Sequence, residues 1–192
     1  MAQALSNLPI GAKVKFGKYS VNGEAAQPII WLVVAKNHSS TPAYPSNAIT
    51  ILTEKIVDMR AFDAIETNRP NGYNRYSMSN IDQWLNSDDP GGGWFVAKHS
   101  SDAAPIAGRV WNNTAYGERP GFLNAFSKVE KNSILTTTIC SRVDSSCEDI
   151  GRKVFIPSTV EVGAYERKTP KEGSKWSYLD RKSTRLNSSH PE

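Results

Sequence analysis

The chain has 192 residues, of which 39% are hydrophobic and 22% charged, and its formal net charge is +4 at pH 7. A chain of this length buries roughly 70% of the surface that it exposes when unfolded, which is enough for one globular domain. The composition excludes global disorder, collagen and coiled coil, and the small charge excess is not the footprint of a nucleic-acid-binding protein.

The first sixty residues predict an antiparallel meander of three strands. Short apolar or alternating segments separated by turn formers place these strands at Lys13–Tyr19, Ile29–Lys36 and Ala48–Glu54. The longest apolar run, at 29–35, is far shorter than the roughly 20 residues that cross a bilayer, so we expect no membrane insertion. Lysines at 13, 15 and 18 interrupt the only region where a secretory signal could lie, so we expect synthesis in a cytoplasm, with export by another route left open.

Three helix starts share one local pattern, a serine three residues before a carboxylate. The pairs are Ser79 with Asp82, Ser127 with Glu130 and Ser158 with Glu161. Two further strands are predicted at Ile134–Cys140 and Lys153–Ile156. Short helices among more numerous strands predict an α+β fold with long loops.

Eight large apolar side chains are predicted to form the core. Ile81, Trp84 and Leu85 fall on one face of the first helix, since they stand at positions i, i+3 and i+4. The strands supply Phe16, Trp31, Val33, Ile51 and Phe155.

Residues 87–121 predict a long loop insertion, because they have almost no hydrophobic period and include three consecutive glycines at 91–93. Its aromatic residues argue for an ordered loop. Aromatic, Asn and Arg side chains offer flat apolar area and hydrogen bonds to sugars or protein surfaces. The candidate ligand-binding residues are therefore Trp94, Trp111, Asn112, Asn113, Tyr116 and Arg119. The alternative is that the aromatic residues only anchor the insertion to the domain.

No catalytic, cofactor or metal site is predicted. His99 precedes Asp102 by three residues, as a general base oriented by a carboxylate would, but no nucleophile-elbow pattern accompanies the pair. His99 and His38 are therefore interpreted as solvent-exposed loop histidines. Asp88 and Asp89 lack the alternating oxygen ligands of a calcium loop.

Cys140 and Cys147 enclose a short polar segment, SRVDSS. A disulfide between the two arms of a hairpin and a pair of reduced thiols are both compatible with this spacing. Neither cysteine has a second close Cys or His, so the pattern does not predict a zinc site.

The order of motifs carries a resemblance to a known family. In chain order the motifs are GAKVKFGKY at 11–19, PIIWLVV at 28–34, ITILT at 49–53, MRAFD at 59–63, NRYSMSNIDQWLNS at 74–87, GFLNAFS at 121–127 and KVFIPSTVEVG at 153–163. This succession resembles the Domain of Unknown Function 6273 family of bacterial and bacteriophage proteins, in the longer-looped form of phage virion proteins. The resemblance covers the chain from Gly11 to about Tyr178.

The resemblance implies a fold similar to the C-type-lectin group, which includes formylglycine-generating enzymes and receptor-binding proteins of phages. It implies a non-catalytic module of a phage virion or tail, or of a bacterial surface protein, that binds carbohydrate or a host-surface protein and forms a homo-oligomer in the virion. Two alternatives stay open: an oxidase similar to formylglycine-generating enzymes, and a structural domain without a ligand. The cysteine pair that binds copper in such oxidases lies near the C-terminal end of the domain, whereas Cys140 and Cys147 lie upstream without the surrounding pattern.

The segment from Asp180 to His190, DRKSTRLNSSH, resembles a sequencing adapter translated in frame. We therefore expect one domain at 1–179, a non-native segment at 180–192 and a reading frame cut near Leu179. The family's Trp-rich segment and closing strand would then be missing, and the sheet would have an unpaired edge and exposed apolar surface.

Overall fold

The computed structural model describes residues 5–21, 23–38, 45–112, 114–143, 146–164 and 174–179. Two predictions lie outside these residues: the non-native segment 180–192 and the candidate ligand residue Asn113. Within the described ranges the elements are β1 (Lys13–Tyr19), β2 (Gln27–Lys36), β3 (Ile49–Thr53), α1 (Asn80–Leu85), α2 (Lys128–Ser133), β4 (Thr137–Val143) and β5 (Ser146–Arg152). This mixture of short helices and small antiparallel sheets confirms the α+β class. None of the helices in these ranges is long and apolar enough to span a membrane.

The predicted meander is confirmed, with β2 between β1 and β3 in an antiparallel sheet. The β1–β2 register shifts between Lys15 and Lys18, and Gly17 lies in this irregularity with φ of +67°. A β-carbon at Gly17 would overlap the ring of Phe126. Glycine is therefore required here both by the left-handed backbone and by the close approach of that ring.

The sheet separates two apolar clusters. One face packs on the aromatic cluster, which consists of Ile29, Trp31, Ile81, Trp84, Trp94, Tyr116, Phe122, Leu123 and Phe126. The other face carries the second cluster, in which Val34 and Ala35 pack with Trp176. Of the predicted core residues, Trp31, Val33, Ile81 and Trp84 are buried. The other four, Phe16, Ile51, Leu85 and Phe155, are half-buried.

Two of the three predicted helix starts form helices. Ser79 caps α1 by accepting a hydrogen bond from the amide of Asp82, and Ser127 and Glu130 form a reciprocal capping box on α2. The predicted helix at Ser158 is wrong. Its capping hydrogen bonds with Glu161 do form, but the chain makes one turn that ends at Gly163 with φ of +68°.

The C-terminal strands differ from the prediction. β4 begins three residues later than expected, and β5 replaces the strand predicted at Lys153–Ile156. The amides of Lys153 and Val154 donate to the Asn86 side-chain oxygen at 3.0 and 3.1 Å, so these amides are not available to a strand ladder. A disulfide between Cys140 and Cys147 joins β4 to β5, which resolves the alternative that the sequence left open.

Two arginine–carboxylate pairs attach the β4–β5 hairpin to the α1 region. Arg152 donates two hydrogen bonds of 2.6 Å to the buried carboxylate of Asp82. Arg75 pairs with Glu148 at 2.9 Å, and both of these side chains are about one-third exposed. Such two-point pairs fix orientation as well as distance.

An open groove lies beside β3. β3 pairs with β2, and among the described residues no strand pairs with its other edge. The adjoining cavity has a volume of about 630 Å³, and its walls include β3 and residues 133–135 and 153–157. Apolar side chains at its rim stay in contact with solvent, including Leu135 and Ile156 at 49% and 46% exposure. We call this feature the β3 groove.

Candidate functional site

Buried aromatic residues anchor the loop at 87–121 to the domain. The rings of Trp94 and Tyr116 stack at 5.5 Å between centroids with 8° between their planes, and both residues are buried. The indole of Trp94 donates to the carbonyl of Arg119 at 2.9 Å. Trp84 of α1 donates in the same way to Pro120, also at 2.9 Å. The indoles of Trp84 and Trp94 thus both have their hydrogen-bond partner at the C-terminal end of the loop.

Two candidate ligand residues, Trp94 and Tyr116, therefore contact the aromatic cluster instead of solvent. The Tyr116 hydroxyl donates to the carbonyl of Ala61 at 2.9 Å. Burial, with a smaller contribution from the charge of Asp63, raises the pKa of Tyr116, which keeps this hydroxyl protonated as a donor. For these two rings the structure favours the anchoring alternative.

Trp111 and Asn112, unlike Trp94 and Tyr116, lie at the surface of the loop. Trp111 is 65% exposed, whereas the preceding Val110 is buried. Asn112 is exposed and has φ of +52°, a left-handed conformation that Asn tolerates better than most residues. The amide of Ile65 donates to the carbonyl of Arg109 at 2.6 Å, which attaches this turn to the segment before it in the chain.

One further candidate ligand residue, Arg119, lies within the described residues. Arg119 is half-buried, and its carbonyl accepts the hydrogen bond from the Trp94 indole. The structure thus brings Trp111 and Asn112 together in one exposed turn and places Trp94 and Tyr116 in the core beneath the loop.

The segment that supports this turn is held by the start of α1. The Asp63 carboxylate accepts hydrogen bonds from the amides of Asn80 at 2.9 Å and Tyr73 at 2.7 Å. The Asn80 side chain in return accepts from the amide of Ala64 at 2.8 Å. Burial raises the pKa of Asp63 against the lowering effect of its two amide donors, and the carboxylate of Asp102 adds to the rise.

Next to this support lies a group of three metal-capable side chains, Glu66, His99 and Asp102, which we call the Glu66 cluster. One ligand atom from each lies within 4.8 Å of the others. Glu66 Oε1 and His99 Nε2 are 3.2 Å apart, and their side chains are 1% and 18% exposed. The ring of Tyr73 packs on His99 at 4.9 Å between centroids.

The prediction that both loop histidines are solvent-exposed is wrong. His99 is largely covered by Tyr73 and Glu66, and the His38 side chain is 5% exposed with Glu161 Oε1 at 3.7 Å. The spacing of His99 and Asp102 was visible in the sequence, but Glu66 carried no signal. It lies in a different segment, and only the tertiary fold brings it to His99.

Asp88 and Asp89 do not converge on a common ion. Asp88 pairs with Lys131 at 2.5 Å, and Asp89 accepts a hydrogen bond from the Ser87 hydroxyl at 2.8 Å. The Lys131 ammonium lowers the pKa of Asp88. Within the part of the chain that the structure describes, the Glu66 cluster is the one group of three side chains that could hold a metal ion.

Comparison with known proteins identifies the family. Neither the curated proteins nor the solved structures contain a significant match. One family model matches residues 46–190, a range that includes α1, the Glu66 cluster and the loop at 87–121. The chain belongs to the family described as Domain of unknown function (DUF6273).

Proposed function

We propose that this chain is a non-catalytic binding module with a C-type-lectin-like fold, and that its loop at 87–121 contacts carbohydrate or a host-surface protein. The setting that goes with this proposal is a bacteriophage particle or a bacterial surface protein. One observation carries the proposal. Trp111 is 65% exposed on a loop in which two other large aromatic side chains, Trp94 and Tyr116, are buried anchors.

An exposed tryptophan on a fixed support is suited to binding. Val110 is buried on one side of Trp111, and the Thr114 hydroxyl donates to the Trp111 carbonyl at 2.6 Å on the other. These two contacts hold the backbone at Trp111 against the domain. A rigid aromatic side chain contributes contact area at low entropic cost, whereas a flexible one must first be ordered.

Carbohydrate is favoured over protein as the ligand. A stable protein interface buries about 800 Å² on each partner and depends on several clustered anchors. The turn offers one large aromatic side chain with the amide of Asn112 beside it in sequence. An apolar ring face with a nearby amide matches a sugar, which has one apolar face and hydroxyls at its edge.

The disulfide also favours a non-catalytic function. Oxidase chemistry of the formylglycine-generating type needs two cysteine thiolates at the metal, and Cys140 and Cys147 are joined to each other across β4 and β5. We expect no oxygen consumption with thiol peptides, before or after mild reduction. Turnover that disappears in the variants Cys140→Ser and Cys147→Ser would overturn the non-catalytic assignment.

A glycan array with the labelled chain tests the proposal directly. We expect a restricted set of glycans to bind, and Trp111→Ala to lower their signal at least tenfold. Val129→Ala is the matched control, because Val129 is a 79% exposed apolar residue on α2. The carbohydrate proposal fails if the wild-type chain gives a flat array, or if Trp111→Ala binds as well as Val129→Ala.

A further inference from the structure

The Glu66 cluster contains two buried ligand atoms that face each other without a hydrogen bond. Glu66 Oε1 and His99 Nε2 are 3.2 Å apart, and neither atom has a hydrogen-bond partner. Buried polar atoms in folded proteins almost always have such partners, so an unsatisfied pair calls for an explanation. Two metal ligands present their lone pairs to a common ion and make no hydrogen bond to each other.

The other carboxylate oxygens of the cluster already accept hydrogen bonds. Glu66 Oε2 accepts a hydrogen bond from Arg69 at 2.8 Å. The two oxygens of Asp102 accept from the Asn80 amide group at 3.3 Å and from the backbone amide of Lys98 at 2.7 Å. Donors around the outside of a group of ligands fix their orientation, as outer-shell partners do in metal sites.

The local backbone brings His99 and Asp102 together. The amide of Asp102 donates to the carbonyl of His99 at 3.1 Å, which closes a tight turn between them. The Tyr73 ring then covers the imidazole, and the guanidinium of Arg69 lies 4.2 Å from the centre of that ring. Glu66, 1% exposed, approaches from the other segment.

We propose that Glu66, His99 and Asp102 bind one divalent transition-metal ion, for which Zn²⁺ is the probe. An imidazole nitrogen with two carboxylates is a ligand set that suits zinc, whereas calcium and magnesium prefer oxygen ligands alone. With zinc–ligand bonds of about 2.0–2.2 Å, tetrahedral ligand atoms stand about 3.3 Å apart, close to the spacing of Glu66 Oε1 and His99 Nε2. Three protein ligands leave a fourth position for water or for a group of a bound molecule.

The charge of the site favours a cation. Glu66 and Asp102 bring two carboxylates to the site, and the Arg69 side chain that pairs with Glu66 is 46% exposed. A divalent ion would offset the repulsion between the carboxylates in a partly buried position. This inference does not depend on the role proposed for Trp111.

Calorimetric titration of the chelator-treated chain with Zn²⁺ is the test, in buffer without reductant so that the cysteines stay paired. We expect one saturable site, which binds at least tenfold more weakly in Glu66→Gln and in His99→Gln. His38→Gln is the matched control: it also removes a buried histidine beside a glutamate, but His38 and Glu161 belong to no group of three in the described residues. It should bind Zn²⁺ as the wild type does.

Thermal unfolding provides a second measurement, because an ion that binds the folded state raises the midpoint. At 100-fold excess over Kd we expect a rise on the order of 5–10 °C in the wild type and in His38→Gln, and none in His99→Gln. If Glu66→Gln and His99→Gln fail to fold, Asp102→Asn takes their place, because it conserves the size of the side chain and one oxygen. It should likewise bind Zn²⁺ at least tenfold more weakly than the wild type.

Three results would overturn the inference. The first would be that the wild-type chain binds no Zn²⁺. The second would be that the cluster variants bind Zn²⁺ as tightly as the wild type, which would place the ion elsewhere in the chain. Tighter binding of Ca²⁺ than of Zn²⁺ would contradict the assignment to transition metals.

Discussion

The aromatic cluster is covered in different ways on its two sides. Towards the loop at 87–121, Trp94 and Tyr116 close over Trp84, and each indole donates a hydrogen bond to the loop backbone. Towards β3, the same cluster borders a groove of about 630 Å³ whose rim residues remain exposed. The loop side is covered by the chain's own residues, whereas none of the residues that the structure describes covers the groove side.

The comparison of the two sides shows which side chains can cover an apolar surface in this protein. Large aromatic rings with a polar edge satisfy both conditions for burial, since their faces pack and their N–H or O–H groups reach backbone carbonyls. The rim of the β3 groove includes aliphatic side chains such as Leu135 and Ile156, which have no N–H or O–H group to donate. Each Å² of apolar surface left in water there forgoes about 25 cal/mol of stabilisation.

The largest effect is expected at the centre of the packed side. Trp84→Ala removes a buried ring that contacts Tyr19, Tyr116 and Phe122, together with its hydrogen bond to Pro120. We expect a loss of about 3–5 kcal/mol in the free energy of unfolding, measured by urea denaturation. Trp111→Ala removes an equally large side chain from the surface and should cost no more than about 0.5 kcal/mol. A Trp84→Ala midpoint equal to that of the wild type would refute the contrast.

The second prediction concerns the attachment of the β4–β5 hairpin to the packed side. Arg152→Ala leaves the Asp82 carboxylate, whose side chain is 3% exposed, without its counter-ion. We expect a loss of about 3 kcal/mol in the free energy of unfolding. The matched control is Arg75→Ala, whose partner Glu148 is 32% exposed and should tolerate the loss at about 1 kcal/mol or less. Equal losses in the two variants would show that the burial of Asp82 does not raise the cost of removing its arginine partner.

The third prediction is a dependence on pH at the start of α2. The amide of Gly17 and then the hydroxyl of Ser127 donate to Glu130 and lower its pKa in the folded state. The resulting stabilisation is fully present above the unfolded pKa, about 4.3, and is lost as pH falls through the lower folded pKa. Glu130→Gln should therefore cost about 1 kcal/mol at pH 7, and the difference from wild type should shrink below about pH 4.

Unfolding midpoints measured from pH 7 to pH 3 check this expectation. Glu24→Gln, in the exposed connection between β1 and β2, is the control and should follow the wild type throughout. A gap between Glu130→Gln and the wild type that is constant over this range would contradict the assigned role of the carboxylate.

The last prediction concerns the β3 groove. Leu135 is 49% exposed at its rim, so Leu135→Asp should change the free energy of unfolding by no more than about 1 kcal/mol. The same variant should lower the fluorescence of the dye ANS, which binds exposed apolar surface. Val129→Asp on α2 should leave dye fluorescence unchanged. Absence of ANS binding to the wild-type chain would mean that the groove is closed in solution.

Much of the first half of the fold could be predicted from local patterns. The alternation at Lys13–Tyr19 and the apolar run at Ile29–Lys36 are strands, and both serine caps at Ser79 and Ser127 form. These features depend on residues close in sequence, so the sequence alone carries them. Trp31 and Trp84 belong to the core for the same reason, since strand and helix period place them on an inward face.

The candidate site was harder to predict, because its members are far apart in the chain. Trp94, Tyr116 and Trp111 are aromatic residues of one loop, and nothing local distinguishes the two that are buried from the one that is exposed. The same limit applies to Glu66, which meets His99 across two loop segments. Likewise, the Asn86 side-chain oxygen accepts hydrogen bonds from the amides of residues 153 and 154, where a strand was predicted.

The amino-acid sequence by itself determined the meander, the helix caps, the tryptophan-centred core and the existence of a long aromatic loop. The tertiary structure alone decided that the loop is anchored through Trp94 and Tyr116, that Trp111 faces solvent, and that an acid and a histidine meet in the Glu66 cluster. The physical reason is the range of the interactions. Backbone hydrogen bonds and caps act over a few residues, whereas burial and electrostatic contact depend on which distant segments the fold brings together.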